Sequence, residues 1–139
     1  MAISGITLQD EVTSSFNELK LGKSLQYIIF RITPDFKEVA VDKKQAAPAT
    51  WEDLIKDLPS DDCRYAVFDF KYSTESDGER NKLIFILWTP DTAKIKVKML
   101  YPSTKESLRR SFVGIGCEVQ ATDVSELAIE DVKARLLKA

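Results

Sequence analysis

Residues 63–88 read CRYAVFDFKYSTESDGERNKLIFILW, and their pattern decides the fold. Cys63–Tyr72 and Lys82–Trp88 are rich in β-branched and aromatic residues, the side chains that pack well on a pleated sheet. The polar tip between them, Ser73 to Asn81, contains Asp77-Gly78, a hairpin signal because both residues tolerate the turn's left-handed backbone. These are the two strongest strands that the sequence predicts.

Upstream, Thr50 opens a short helix over Trp51–Asp57, with Asp53 in its first turn and Pro59 ending it. Leu25–Thr33 is a further strand, Pro34-Asp35 turns the chain, and Glu38–Val41 returns. Thr7 is an N-cap candidate for a first helix, with Asp10 in its acidic first turn. Leu8, Val12, Phe16 and Leu19 follow at helical spacing, and Gly22 is the stop. Downstream, Glu118–Ala121 is a weaker strand and Glu126–Lys138 a helix with Leu127, Val132 and Leu136 on one side. This order predicts an α/β fold, a central mixed β-sheet flanked by helices. One domain spans 1–139, with 1–6 as a flexible N-terminal tail.

Residues 90–112 carry two patterns. Lys94 to Met99 alternates as a half-buried strand would. Over a longer window, at about 100° per residue, Lys94, Lys98, Tyr101, Lys105, Leu108, Arg109 and Phe112 share an arc of roughly 100°. Pro102 interrupts that arc, and a proline removes a backbone donor and crowds the preceding turn. Ser103 and Glu106 offer a second start. The expectation is a long helix, kinked or broken, around 92–112.

Composition narrows the function. The 139 residues are 44% hydrophobic and 30% charged, as in a soluble globular chain, and the net charge of −2 argues against general nucleic-acid binding. The absence of histidine removes imidazole from every catalytic or metal scheme. Cys63 and Cys117 are too far apart for a zinc or redox C-x-x-C and sit among apolar residues as buried small hydrophobes. Residues 1–7 lack the features of a secretory signal, and Leu83–Trp88, the longest apolar run, is too short to span a bilayer. Glycines are too scattered for a phosphate loop, and the adjacent carboxylates Asp61-Asp62 and Glu130-Asp131 belong to solvated turns or helix faces. No enzyme, cofactor or metal is expected, and the chain is expected to be cytosolic.

Charge segregation is the stronger signal. Residues 91–112 hold six cations against two acids, a local excess of four. Lysine stems on a solvated helix face would account for the charge alone. With Tyr101 and Leu108 on the same stripe, the mixture suits an acidic partner with an apolar groove, or an anionic lipid headgroup.

Several ordered blocks then resemble the actin-depolymerising factor/cofilin family: WTPDTA at 88–93, KMLY at 98–101 and STKESLRR at 103–110. Ser4-Gly5, FNELKLG at 16–22, CRYAVFDF at 63–70 and VQATD at 119–123 extend the resemblance over nearly the whole chain. It implies the actin-depolymerising-factor homology fold and supports the helical choice for 92–112. It also implies binding of actin monomers, the ADP form preferred, and of filaments, which family members twist, sever and help to depolymerise. Matched by position, the surface used for both monomer and filament is Ser4, Gly5, Lys96, Lys98, Met99, Lys105, Leu108, Arg109 and Arg110. Met99 and Leu108 would enter an apolar cleft, and Lys105, Arg109 and Arg110 would pair with acids around it. A filament-only surface would use Arg80 and Lys82 on the hairpin and Arg135 and Lys138 on the last helix. Ser4 matches the family's phosphorylation switch, and a phosphate there would repel acidic actin. Phosphoinositide headgroups, no nucleic acid, a monomeric state and a place in the cytoplasmic actin cytoskeleton, with nuclear access left open, complete what is implied.

Four departures bear on these expectations. Pro102 stands where the family usually has a good helix former, and Ala134 where some members carry an acid. The lysine-rich import stretch is reduced to Lys43-Lys44, and the histidine assigned to pH sensing is missing. Two alternatives stand beside this reading: a related domain that binds filament sides or an actin-nucleating complex without severing, and a chain that serves chiefly phosphoinositide membranes.

Overall fold

The computed structural model describes residues 5–22, 24–76 and 78–138, apart from the side chains of Thr74, Leu137 and Lys138. Its elements are β1 (Thr7–Leu8), α1 (Asp10–Gly22), β2 (Leu25–Ile32), β3 (Glu38–Ala46), α2 (Trp51–Asp57), β4 (Arg64–Thr74), β5 (Gly78–Trp88), α3 (Ile95–Ser111), β6 (Ile115–Ala121) and α4 (Ile129–Lys138). The sheet order is β1-β3-β2-β4-β5-β6, antiparallel through the centre and parallel at the two edge pairs, β1/β3 and β5/β6. The sheet is therefore mixed, as the sequence predicts.

Side chains alternate between the two faces of a strand, and here both faces are covered. On one, Ile28 and Phe30 of β2, Tyr65 and Val67 of β4 and Leu83, Phe85 and Leu87 of β5 meet Val12, Phe16 and Leu19 of α1. Tyr101, Leu108 and Phe112, along and just after α3, complete that layer. On the other, Tyr27, Ile29, Phe68, Ile84, Ile86 and Trp88 meet Trp51 and Leu54 of α2 and Val132 and Leu136 of α4. Burying each large apolar side chain contributes about 1.5–3 kcal/mol, so both layers hold the sheet. Thr50 and Asp53 form a reciprocal capping box at the start of α2.

Several boundaries differ from the expectation. Thr7 does not cap α1; it pairs with Glu38 in β1, its N–H donating to the Lys37 carbonyl at 3.1 Å. The ladder satisfies a backbone donor that a cap would have left outside the sheet. Ile6 is 2% exposed and packs in the core, so it does not belong to the tail expected over 1–6. The hairpin strands run on to Thr74 and back from Gly78, through most of the expected polar tip, with Thr74 opposite Gly78. Beyond the helix layers the ladder still forms, but no core imposes an apolar signature on its residues. Gly78 takes φ +69°, which glycine adopts without a Cβ clash; Asp77 lies outside the described residues. The last helix begins later than Glu126. A 3₁₀ turn, Val124–Leu127, comes first, with the Asp123 carboxylate accepting from the Ser125 N–H at 2.8 Å.

α3 is one helix with Pro102 inside it, which excludes the broken alternative. Its seat is fixed by polar as well as apolar contacts. The Tyr101 hydroxyl accepts the Ile32 N–H at 2.9 Å, and the Tyr65 hydroxyl donates to the Tyr101 carbonyl. Thr104, fully buried, donates its hydroxyl to the Leu100 carbonyl at 2.8 Å. Tyr101→Phe leaves the buried Ile32 N–H without its acceptor and is expected to cost about 1–3 kcal/mol in urea unfolding. An unchanged unfolding free energy would contradict this seating.

Candidate functional site

At about 100° per residue, the buried residues Tyr101, Thr104 and Leu108 fall within roughly 60° of one another on α3. Ile95, Met99, Glu106 and Arg110 fall within roughly 60° on the opposite side. All four are exposed, Ile95 at 74% and Met99 at 68%. Pro102 and Ser103 border the same side, so the proline disturbs the solvent face and leaves the packed one intact. Two large apolar side chains in water, one turn apart and followed by a cation, form the outward ridge of the molecule.

This corrects the expected stripe. Leu108 is 0% exposed and belongs to the core with Tyr101 and Phe112, so it cannot enter a partner's cleft as expected. The arc inferred from the sequence straddles the boundary between the packed side and one flank. Its apolar members turn inward because the sheet offers them burial, and its cations line the flank. Ile95, which lies outside the expected stripe, takes the place beside Met99. Its spacing of four residues from Met99 is the signal that places it there, and the local alternation over Lys94 to Met99 obscures that signal.

The flank cations have partners of their own. Lys105 pairs with Glu118 of β6 at 2.7 Å and Arg109 Nε pairs with the same carboxylate at 2.9 Å. Lys98 Nζ donates to the Asp91 carbonyl at 3.1 Å. Lys96 is exposed on the other side of the ridge, its Nζ 4.6 Å from the centre of the Phe36 ring. Arg110 is exposed and makes no hydrogen bond or ion pair among the described residues. Burial alone would raise the Glu118 carboxyl, but hydrogen bonds from Lys105, Gln120 and Arg109 outweigh it and hold the group below the usual carboxylate range. Gly5 sits at φ +78°, where a residue with a Cβ is strained. Ser4, named with it, lies outside the described residues.

The second set converges from the other side. Lys82 Nζ donates to the Leu136 carbonyl at 2.9 Å, a cation at the C-terminal end of α4 where the helix dipole favours it. Arg135 donates through Nη2 to the Glu118 carbonyl at 2.7 Å. Hairpin base, last helix and β6 are thus joined by Lys82 and Arg135. Arg80 lies two residues from Lys82 on the same strand face, opposite Tyr72 in the ladder. The Lys138 side chain lies outside the described residues.

Other groups with chemical potential are structurally engaged. Asp62 accepts from Arg64 Nη1 and the Cys63 N–H, both at 2.8 Å. Cys63 is fully buried and its thiol is pushed up to about 11 by burial, so it stays protonated near neutral pH.

A single α/β layer structure with an exposed apolar-basic helix ridge defines a small module built to present that ridge. The profile of the family described as "Cofilin/tropomyosin-type actin-binding protein" matches residues 5–137. The cofilin of Schizosaccharomyces pombe is 46% identical over 138 residues, 99% of each chain. The actophorin of Acanthamoeba castellanii is 46% identical over 136 residues, 98% of each chain. The crystal structure of Streptomyces griseoflavus cofilin superimposes with a TM-score of 0.89 at 44% identity, covering 97% of this chain and 99% of that one. The chain belongs to the cofilin/actin-depolymerising factor family.

Two measurements check the geometry. Leu108→Ala is expected to cost about 2–5 kcal/mol of unfolding free energy, as buried leucines do, and a cost near zero would return Leu108 to the surface. A lowered carboxyl stabilises the fold above its unfolded value, near 4.3 for glutamate, and that share is lost as pH falls through the folded value. Wild type is therefore expected to lose more stability below pH ~4.5 than Glu118→Gln does. Parallel pH profiles for the two proteins would contradict the assignment.

Proposed function

We propose that this chain binds actin monomers and actin filaments and promotes filament depolymerisation and severing, with no catalytic step of its own. The observation that carries this is the outward ridge of α3, two exposed apolar side chains with cations beside them, in a chain of this family. Ile95 and Met99 supply the apolar contact. Lys96 and Arg110 supply charge on the solvent side, while Lys98, Lys105 and Arg109 line the flank. Severing follows from differential affinity: a ligand that prefers a twisted filament state shifts the filament toward it, and strain gathers where decorated and bare segments meet.

Arg80, Lys82, Arg135 and Lys138 form the filament-only contact. Ser4 acts as a phosphorylation switch next to Gly5, since two added negative charges would oppose an acidic partner. Preference for the ADP form of actin, and competition by phosphoinositide headgroups for the α3 cations, belong to the same proposal. The chain acts as a monomer on the cytoplasmic actin cytoskeleton. Lys43 and Lys44 are ion-paired to Asp57 at 2.7 Å and Glu18 at 3.0 Å, which favours a structural use of this pair over nuclear import.

Filament co-sedimentation with microscopy of severing tests binding and outcome together. Lys96→Ala/Arg110→Ala is expected to weaken filament binding about tenfold, or ~1.4 kcal/mol, with unfolding stability changed by no more than ~0.5 kcal/mol. Binding equal to wild type would overturn the site. Filament binding without monomer binding in a labelled-actin titration would favour the side-binding alternative.

A further inference from the structure

Glu118 was not among the residues that the sequence singled out, yet the two helix layers meet at it. β6 is an edge strand, so its outward backbone groups have no neighbouring strand among the described residues to pair with. The Glu118 carbonyl accepts Arg135 Nη2 of α4 at 2.7 Å. Its side chain belongs to the opposite layer, where the carboxylate takes Lys105 Nζ at 2.7 Å and Arg109 Nε at 2.9 Å. Gln120 adds a third donor at 3.1 Å.

The way Arg109 is held matters most. Glu118 engages Nε and leaves the Nη1/Nη2 edge without a hydrogen bond to any described residue. That edge is the fork which binds a carboxylate through two parallel bonds. The guanidinium carbon also lies 5.8 Å from the centre of the Phe85 ring, so a ring and a carboxylate both constrain it. Lys105 and Arg109 are 18% and 32% exposed, the values of side chains already laid down on the surface. An arginine or lysine free in water must be immobilised when a partner binds, at a cost that lowers affinity. Here that ordering is done before binding.

We propose that Glu118 is a positioning residue for actin binding. It holds Arg109 and Lys105 in a fixed pair with the Arg109 fork presented outward, and Arg135 in turn holds Glu118 in place. The inference rests on the actin-binding function proposed above. Glu118 does not itself touch the partner; it acts through the two cations. The other possible role of an acid at this place is competition, in which Glu118 occupies cations that the partner's carboxylates need. Engagement at Nε rather than at the fork favours positioning.

The test uses the full chain in four forms: wild type, Glu118→Gln, Lys105→Ala/Arg109→Ala, and the triple variant. Monomer binding is read by labelled-actin titration, filament binding by co-sedimentation, and the Arg109 Nε–H by its NMR signal and exchange protection. Glu118→Gln is expected to lose that protection and to bind monomer and filament about 5- to 20-fold more weakly, the cost of ordering two long side chains. In the background lacking both cations, Glu118→Gln is expected to change neither affinity further, because residues acting as a unit are not additive. Tighter binding by Glu118→Gln would establish competition and overturn the proposal. Unchanged binding, or the same loss with and without the cations, would overturn it equally, the latter by showing a general packing role. A wild type that binds neither monomer nor filament would refute the functional proposal instead, and the Arg109 signal would still show whether Glu118 holds the guanidinium.

Discussion

The seating of α3 on the sheet is the constraint from which the rest of the molecule follows. Tyr101, Leu108 and Phe112 bury against β2, β4 and β5, and the Tyr101 hydroxyl takes a backbone donor at the end of β2. Rotating the helix would expose those side chains and strand the Ile32 N–H, so its rotational setting is strongly determined. Once it is set, Ile95, Met99 and Arg110 have only one direction to face. The ridge exists because the opposite side of the helix is needed for the core.

The strands that build the centre were legible because burial on both faces leaves dense apolar runs: Leu25–Ile32, Tyr65–Phe70 and Leu83–Trp88 all stand where expected. α2 was legible to the residue because Thr50 and Asp53 cap it locally. What failed depended on partners distant in sequence. Thr7 is as good a cap as Thr50 by composition, but β3 lies beside it and takes it as a strand. The polar ends of β4 and β5 pair with each other and show no apolar period. The helix at 95–111 was found, but its outward side was misplaced by part of a turn. Periodicity gives an arc of related residues and does not mark where along it the sheet lies. The same ambiguity hid Ile95 and put Leu108 on the surface, while Glu118 looked like any residue of a short strand.

Charge behaves similarly. A net −2 conceals the cation-rich segment, and the structure divides that segment again. Lys105 and Arg109 are neutralised from within by Glu118, whereas Lys96 and Arg110 face solvent. Ionic pairing inside the fold therefore separates cations that Glu118 fixes in place from exposed cations that have no ion pair among the described residues. With no histidine in the chain, and Cys63 pushed up to about 11, the described shifts fall outside the neutral range. Steep pH control near neutrality would need another group, such as one on the actin side of the contact.

The central claim is that the ridge centred on Met99 meets actin. The chain has two methionines, Met1 and Met99, so the Met99 methyl group gives an assignable NMR signal on the ridge itself. Titration with actin monomer is predicted to shift or broaden the Met99 methyl resonance in step with binding, reaching its limit at one actin per chain. A Met99 signal unmoved when binding is saturated would contradict the account.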